Sequence, residues 1–352
     1  MDCMVYHFPF YAERVIHQLS EEDWFIHSFP LSDEKNIYNP ACYLYNADLH
    51  GSEYTIHLDL NIYQYVLNAF KKGKKSPLHR NAIALIVFGK FTNIKFDTTI
   101  AVYEKLNYQN RCSDELIDDL ILFRQIDNAD MDLLAEFALG NTYDIALPKP
   151  APLERSYLEA KLTEFHRLKK WDTLYALVLK VTELYFYNED LSNEKKLEAF
   201  WLWCHEEFVF SLVATCFAIK LFGNKPIPKL MKYAPKFSAE INKKHLVNMT
   251  WDLFLIDNFF ENWVKKPEHR EFIYASNDRP LKDVLKLAIE IQNNGENSSL
   301  SKDLSEPLTK CFINMFSQEK TDLGRRITKV TDFKTFRDGV INDYEVLLRV
   351  RG

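Results

Sequence analysis

Residues 54–60 read Tyr-Thr-Ile-His-Leu-Asp-Leu, an aromatic and β-branched run that ends in a single acid. Side chains of these types favour strands. The residues that follow at the spacing of one helix face are Ile62, Val66, Ala69 and Phe70. The stretch therefore predicts a strand that runs into a helix, with Asp59 and Asn61 at the junction.

Helical patterns and a second strand surround this unit. The patterns predict helices at 79–91, 97–106, 114–139, 239–263 and 280–291, a strand at 272–275 and a turn at 276–278. Strands that alternate with helices are typical of an α/β fold. The fold class predicted from the sequence is therefore α/β.

Length and composition indicate a folded protein with a large core. The chain has 352 residues, more than the usual domain size of about 100 to 200, so one large core with an insertion and two packed domains both fit. Hydrophobic residues make up 47% and charged residues 27%, with only 9 glycines. This composition excludes disordered and fibrous classes.

Charge, cysteines and hydropathy restrict the partners and the compartment. A formal charge of −6 argues against a general nucleic-acid coat, although a local basic patch still permits RNA binding. The six cysteines include no C-x-x-C pair, so neither a zinc knuckle nor a disulfide framework is indicated. No secretory signal is visible, and the apolar stretch 208–219 is shorter than the roughly 20 residues that span a membrane. We therefore expect a cytoplasmic protein without a membrane segment.

Prolines within residues 147–152 interrupt the pattern and indicate a boundary. Beyond it, residues 154–222 predict three helices with aromatic stripes. The predicted organisation is an N-terminal extension of edge strands and loops packed on the core (1–50), an α/β core (51–146 and 245–293), a large helical insertion (147–244) and a mainly helical tail (294–352).

Three acids occupy positions where a carboxylate has a chemical use. Asp59 would lie at the carboxyl end of a strand, where open α/β sheets bind their ligands. Asp252 lies in the almost wholly apolar run 249–256, and a buried carboxylate needs a partner or a metal. Asp278 lies in the turn after the second predicted strand, and it would approach Asp59 if the two strands were neighbours.

This order of parts resembles the PIN-domain family of metal-dependent ribonucleases. Members have a strand ending in Asp with Asn, Ser or Thr two residues on, a helix with Glu, a helix with Asp, and a strand leading to a turn with Asp. The matching residues are Asp59, Asn61, Glu104, Asp252 and Asp278. The resemblance covers about residues 50–140 and 245–293, and the chain departs from compact members by its helical insertion.

The resemblance implies an open, largely parallel, PIN-like sheet flanked by helices, and an endoribonuclease that cuts single-stranded or loop RNA. Asp59, Asp252 and Asp278 would bind Mg²⁺ or Mn²⁺, and Glu104 would complete the catalytic set. The metal would lower the pKa of a bound water for in-line attack on a phosphodiester. Family members often act as toxins or antiviral, phage-defence effectors. The substrate-binding candidates are Asn61, Lys71, Lys72, Lys74, Lys75, Arg80, Asn277 and Arg279.

Plainer interpretations stay open for each feature. Asp59 and Asp278 could cap helices, Asp252 could pair with a buried Lys or Arg, and Glu104 could lie on a solvated surface. The lysine run could be a solvated turn. The alternative function is a non-catalytic interaction module on a degenerate PIN-like core, whose helical insertion binds a partner protein or regulator. A homodimer is one option for its oligomeric state.

Overall fold

A computed structural model describes residues 4–28, 37–107, 113–150, 155–164, 169–294, 300–315 and 332–350. The chain divides into two compact units. The first unit consists of Met1–His166 with Glu261–Asn277, and the second of Arg167–Phe260 with Asp278–Gly352. The predicted segment boundaries at residues 147 and 245 differ from the unit boundaries, which follow His166, Phe260 and Asn277.

The first unit contains a sheet of four strands, which is the only sheet in the described part of the chain. The strands are β1 (Phe25–His27), β2 (Glu53–Leu58), β3 (Lys95–Asp97) and β4 (Arg270–Ala275), in the order β1-β4-β2-β3. β2 is parallel to both β3 and β4, whereas β1 is antiparallel to β4. The prediction of an α/β fold with an open, mostly parallel sheet is confirmed.

β2 and β4 are paired over their whole length and end at the same edge of the sheet. Leu58 lies opposite Ala275, and the amide of Asp59 donates a hydrogen bond of 3.0 Å to the Ala275 carbonyl. Leu58 and Ala275 are fully buried. The two predicted strands are therefore neighbours, although most of the chain lies between them.

Helices cover the sheet of the first unit. They are α1 (Ala12–Glu22), α2 (Pro40–His50), α3 (Leu60–Lys71), α4 (Pro77–Phe91), α5 (Thr99–Asn107), α6 (Ser113–Asp127), α7 (Met131–Ala138) and α8 (Arg155–Glu164). α4 is buried on nearly all sides, and its residues Ala82 to Phe88 have no exposed surface. Such a helix forms the centre of a core.

Two local predictions for the first unit are wrong, and one of its strands was not predicted. The first 50 residues hold α1 and α2 as well as the edge strand β1, because Val15 and Leu19 are buried at helical spacing. The expected helix 114–139 is two helices, since the carboxylate of Asp130 caps α7 by accepting the amides of Asp132 and Leu133 at 3.0 Å. The three-residue strand β3 was not predicted at all, because so short a strand shows no alternating pattern.

The described part of the second unit is helical throughout. Its α-helices are α9 (Lys169–Phe186), α10 (Asn193–Glu206), α11 (Leu212–Phe222), α12 (Ala239–Val264, as far as Phe260), α13 (Arg279–Asn294) and α14 (Phe333–Leu347), with residues 306–315 also helical. Four helices, not the predicted three, fall within about 154–222. Part of the predicted polar linker, at 295–299, lies outside the described residues. No helix in the described ranges is long and apolar enough to cross a membrane.

The C-terminus of α11 is held closely against the turn around Asp303. Lys220 forms an ion pair with Asp303 at 2.8 Å, and the Asn224 amide donates to the Asp303 carbonyl at 2.7 Å. A Cβ on Gly223 would lie 2.4 Å from that carbonyl oxygen. The close contact between the backbone at position 223 and the Asp303 carbonyl therefore requires glycine at that position.

Replacing Gly223 by alanine should destabilise the second unit, whereas the same change at Gly339 should not. The added methyl of Gly223→Ala meets backbone, so we expect a loss of about 1–3 kcal/mol in the free energy of unfolding. Gly339, in α14, has open space around it, so Gly339→Ala should stabilise by up to about 1 kcal/mol. Urea denaturation of both variants checks this, and equal midpoints would contradict the close contact.

Candidate functional site

Asp59 follows β2 and caps α3. Its carboxylate accepts the amide of Ile62 at 2.7 Å, and only 5% of the residue is exposed. The capping contact raised as the plain alternative for Asp59 is therefore present. Asn61, in the first turn of α3, is exposed.

The residues after β4 lie at the same edge of the sheet. Ser276 is fully buried, and its amide donates to the Trp24 carbonyl at 3.0 Å. The side-chain amide of Asn277 donates to the hydroxyl of Tyr65, in α3, at 3.2 Å. Asp59 and Asn277 thus flank the carboxyl ends of two parallel neighbours, where ligands bind in open α/β sheets.

Glu104 lies in α5, which contacts α3 and β2 in the first unit. Only 6% of Glu104 is exposed, so the alternative that it sits on a solvated surface is wrong. Its neighbour Lys105 forms an ion pair with Asp119 of α6.

In the second unit, Asp252 and Asp278 line the same pocket of about 190 Å³. Asp252 comes from the middle of α12, and Asp278 comes from the turn that begins α13. The remaining lining residues are Phe217, Lys229, Leu230, Lys232, Met249, Leu253, Pro280 and Leu281. The pocket therefore combines two carboxylates and two lysines with an apolar wall.

Asp252 has a cationic partner that the sequence analysis did not identify. Lys232 forms a close ion pair with its carboxylate. Burial raises the pKa of Asp252, the ammonium of Lys232 offsets part of that rise, and the carboxylate of Asp278 adds to it. The alternative prediction, that Asp252 pairs with a Lys or Arg, is therefore met by Lys232. The negative charge of Asp278 nevertheless also acts on Asp252.

Asp278 caps α13, because its carboxylate accepts the amide of Leu281 at 3.1 Å. Arg279, a substrate-binding candidate, is exposed in the first turn of this helix. Capping accounts for one oxygen contact of Asp278 and is compatible with its position in the pocket wall.

The predicted basic patch has two kinds of members. Lys71, Lys72, Lys74 and Lys75 are exposed around the end of α3. Arg80 instead braces α7, since its guanidinium donates to the carbonyl of Phe137 at 2.8 Å. Arg80 therefore makes a structural contact, in addition to the substrate-binding role that was predicted for it.

The second unit's pocket contains carboxylates, the type of ligand that a hard divalent cation prefers, together with two lysines. Mg²⁺ is usually held by one or two carboxylates and keeps several waters, and Asp252 and Asp278 supply two. Across the described residues, no group of three or more His, Cys, Asp or Glu side chains is arranged to hold a metal. The metal-binding role expected for Asp59, in the first unit, stays a prediction.

The raised pKa of Asp252 should make its contribution to stability depend on pH. A folded pKa above the ordinary 3.8 means that the folded chain binds more protons between the two values, so stability falls as pH rises through that interval. The free energy of unfolding of the wild type minus that of Asp252→Asn should therefore decrease as pH rises above about 4. Urea denaturation at a series of pH values measures this, and a difference that increases with pH would contradict the raised pKa.

No family model, curated protein or solved structure matches this chain.

Proposed function

We propose that this chain is a metal-dependent endoribonuclease with a PIN-like core and a helical insertion, which cuts single-stranded or loop RNA. Asp252 and Asp278 hold the cation in the second unit, and Asp59 and Glu104 of the first unit are the acids that the family resemblance adds to the catalytic set. A role as a toxin or phage-defence effector in the cytoplasm follows from the family resemblance alone.

The observation that carries the proposal is the shared pocket of Asp252 and Asp278. The carboxylate of Asp278 adds to the cost of ionising Asp252 in this partly buried pocket. A bound divalent cation removes that cost. The pairing of β2 with β4 is a second support, since it brings Asp59 and Asn277 to one edge of the sheet.

When bound, Mg²⁺ or Mn²⁺ supplies a water of lowered pKa and stabilises the leaving oxygen. The residues of the chain position the reactants. The Leu281 amide fixes the carboxylate of Asp278, which limits the reorganisation needed to bind the cation. Lys232 favours the ionised form of Asp252 before the cation binds, and its ammonium is then available to a phosphate oxygen.

The alternative is a non-catalytic interaction module. It is favoured by the fact that Asp59, Asp252 and Asp278 each have a contact that a purely structural role explains. Both functions predict a folded protein, and RNA cleavage separates them.

Replacing either capping acid by asparagine should abolish Mn²⁺-dependent cleavage without unfolding the chain. Asparagine caps helices about as well as aspartate but lacks the charge that binds a cation. We expect Asp59→Asn and Asp278→Asn each to lower kcat/KM on an unstructured RNA at least about a hundredfold, which corresponds to about 2.7 kcal/mol.

Two other helix-capping acids provide matched controls. Asp130→Asn changes the cap of α7 in the first unit, and Asp332→Asn changes the cap of α14 in the second. Both controls should cleave RNA like the wild type. Cleavage at wild-type rates by the Asp59 and Asp278 variants would overturn the nuclease assignment, and an inactive wild type that retains its fold would favour the interaction module.

A further inference from the structure

A polar pocket of about 450 Å³ lies beside the end of α3 in the first unit. Its volume is within the range of about 300–1,000 Å³ that is usual for ligand sites. The lining residues come from α3, α5 and α6 and from the turn after α3: Gln64, Leu67, Asn68, Lys71, Lys72, Lys105, Glu115 and Asp119.

Three lysines and two acids line this pocket, so its net charge is positive. The carboxylate of Asp119 is shared, since Lys71 approaches one oxygen at 2.9 Å and Lys105 pairs with the other. Within the described ranges, no carboxylate pairs with the exposed ammonium of Lys72. The ammonium of Lys72 is therefore available to an anionic group in the pocket. Lys71 and Lys105, which share Asp119, add positive charge to the same pocket.

An exposed aromatic ring lies beside cations in the same unit. Tyr143, after α7, is 67% exposed, and the Lys75 ammonium and the Arg80 guanidinium lie 5.0 and 5.8 Å from its ring centroid. Arg80 is anchored by the hydrogen bond that it donates to the Phe137 carbonyl. An exposed aromatic ring with adjacent cations can stack on a nucleobase.

The turn between α3 and α4 contributes Lys72 to the pocket and Lys75 to the surroundings of the Tyr143 ring. Gly73 has a φ of +56°, and the amide of Lys74 donates to the carbonyl of Asn68, a pocket residue, at 3.1 Å. Lys72 and Lys75 thus belong to one short, exposed and strongly basic turn. This local positive charge contrasts with the −6 of the whole chain.

We infer that a single-stranded polynucleotide binds along this turn, with a backbone phosphate in the lysine pocket and a base stacked on Tyr143. The inference rests on the proposed function, because it assigns the substrate-binding surface of the nuclease. A positive groove combined with an exposed aromatic ring is how proteins bind single strands without sequence preference. Duplexes fit poorly, since their bases are already stacked. The local positive charge of this turn would allow a chain with a net negative charge to bind a polyanion.

The test is fluorescence anisotropy with a labelled, unstructured RNA, in EDTA so that no cleavage occurs. We expect Tyr143→Ala to weaken binding at least about fivefold, the lower end of the effect of losing one base stack, whereas Tyr143→Phe should bind like the wild type. Lys72→Ala should reduce the slope of log affinity against log salt by about 0.7, the value for one phosphate contact on a single strand.

Two exposed residues of the same unit provide matched controls. Tyr45→Ala removes another exposed tyrosine, and Lys95→Ala removes another exposed lysine, which lies on β3. Neither change should alter the affinity or the salt slope. Unchanged binding by both Tyr143→Ala and Lys72→Ala would overturn the inference, and so would equal affinity for duplex RNA of the same length.

Measuring the binding of a DNA strand of the same sequence shows whether the surface prefers RNA or DNA. Equal or tighter binding of RNA, lost in the same variants, supports the inference together with the proposed substrate. Binding of DNA alone, lost in those variants, keeps the surface but contradicts an RNA substrate. Wild-type cleavage by Asp59→Asn and Asp278→Asn, with RNA binding still weakened in Tyr143→Ala, would overturn the nuclease assignment and keep this surface, so the two proposals fail independently.

Discussion

The parallel pairing of β2 with β4 is the constraint on which the first unit depends. It joins two segments that most of the chain separates, with the amide of Asp59 bonded to the carbonyl of Ala275. Backbone groups buried at the centre of a sheet must be paired, so the chain has to return to this position at β4. The pairing of β2 with β4 positions the residues that follow the carboxyl ends of both strands, including Asp59 and Asn277.

A second constraint acts in the other unit, where carboxylates are partly withdrawn from water. Asp252 is held between an attractive charge, Lys232, and a repulsive one, Asp278. Removing carboxylates from water costs free energy unless a cation compensates it, and Lys232 provides part of that compensation for Asp252. The repulsion that Asp278 adds is the physical reason to propose a cation in the pocket, and the helix cap of Asp278 does not remove that repulsion.

Local patterns predicted the parts of the fold whose signals are local. The strand β2 and the helix α4 were visible because their residues are β-branched or continuously apolar. The three residues of β3 carry no periodicity, and the break before α7 depends on the single side chain of Asp130. Lys232 was not predicted because no sequence pattern couples it to Asp252: their pairing depends on how α12 packs. Acids were thus predictable as candidates, but their partners were not.

The most direct measurement is a crystal structure of the protein soaked in Mn²⁺, analysed by anomalous diffraction. The account predicts an anomalous peak in the second unit's pocket, within bonding distance of carboxylate oxygens of both Asp252 and Asp278, accompanied by displacement of the Lys232 ammonium. A pocket without a peak in crystals of a protein that cleaves RNA in Mn²⁺ would contradict the account, because the cation would then be held elsewhere.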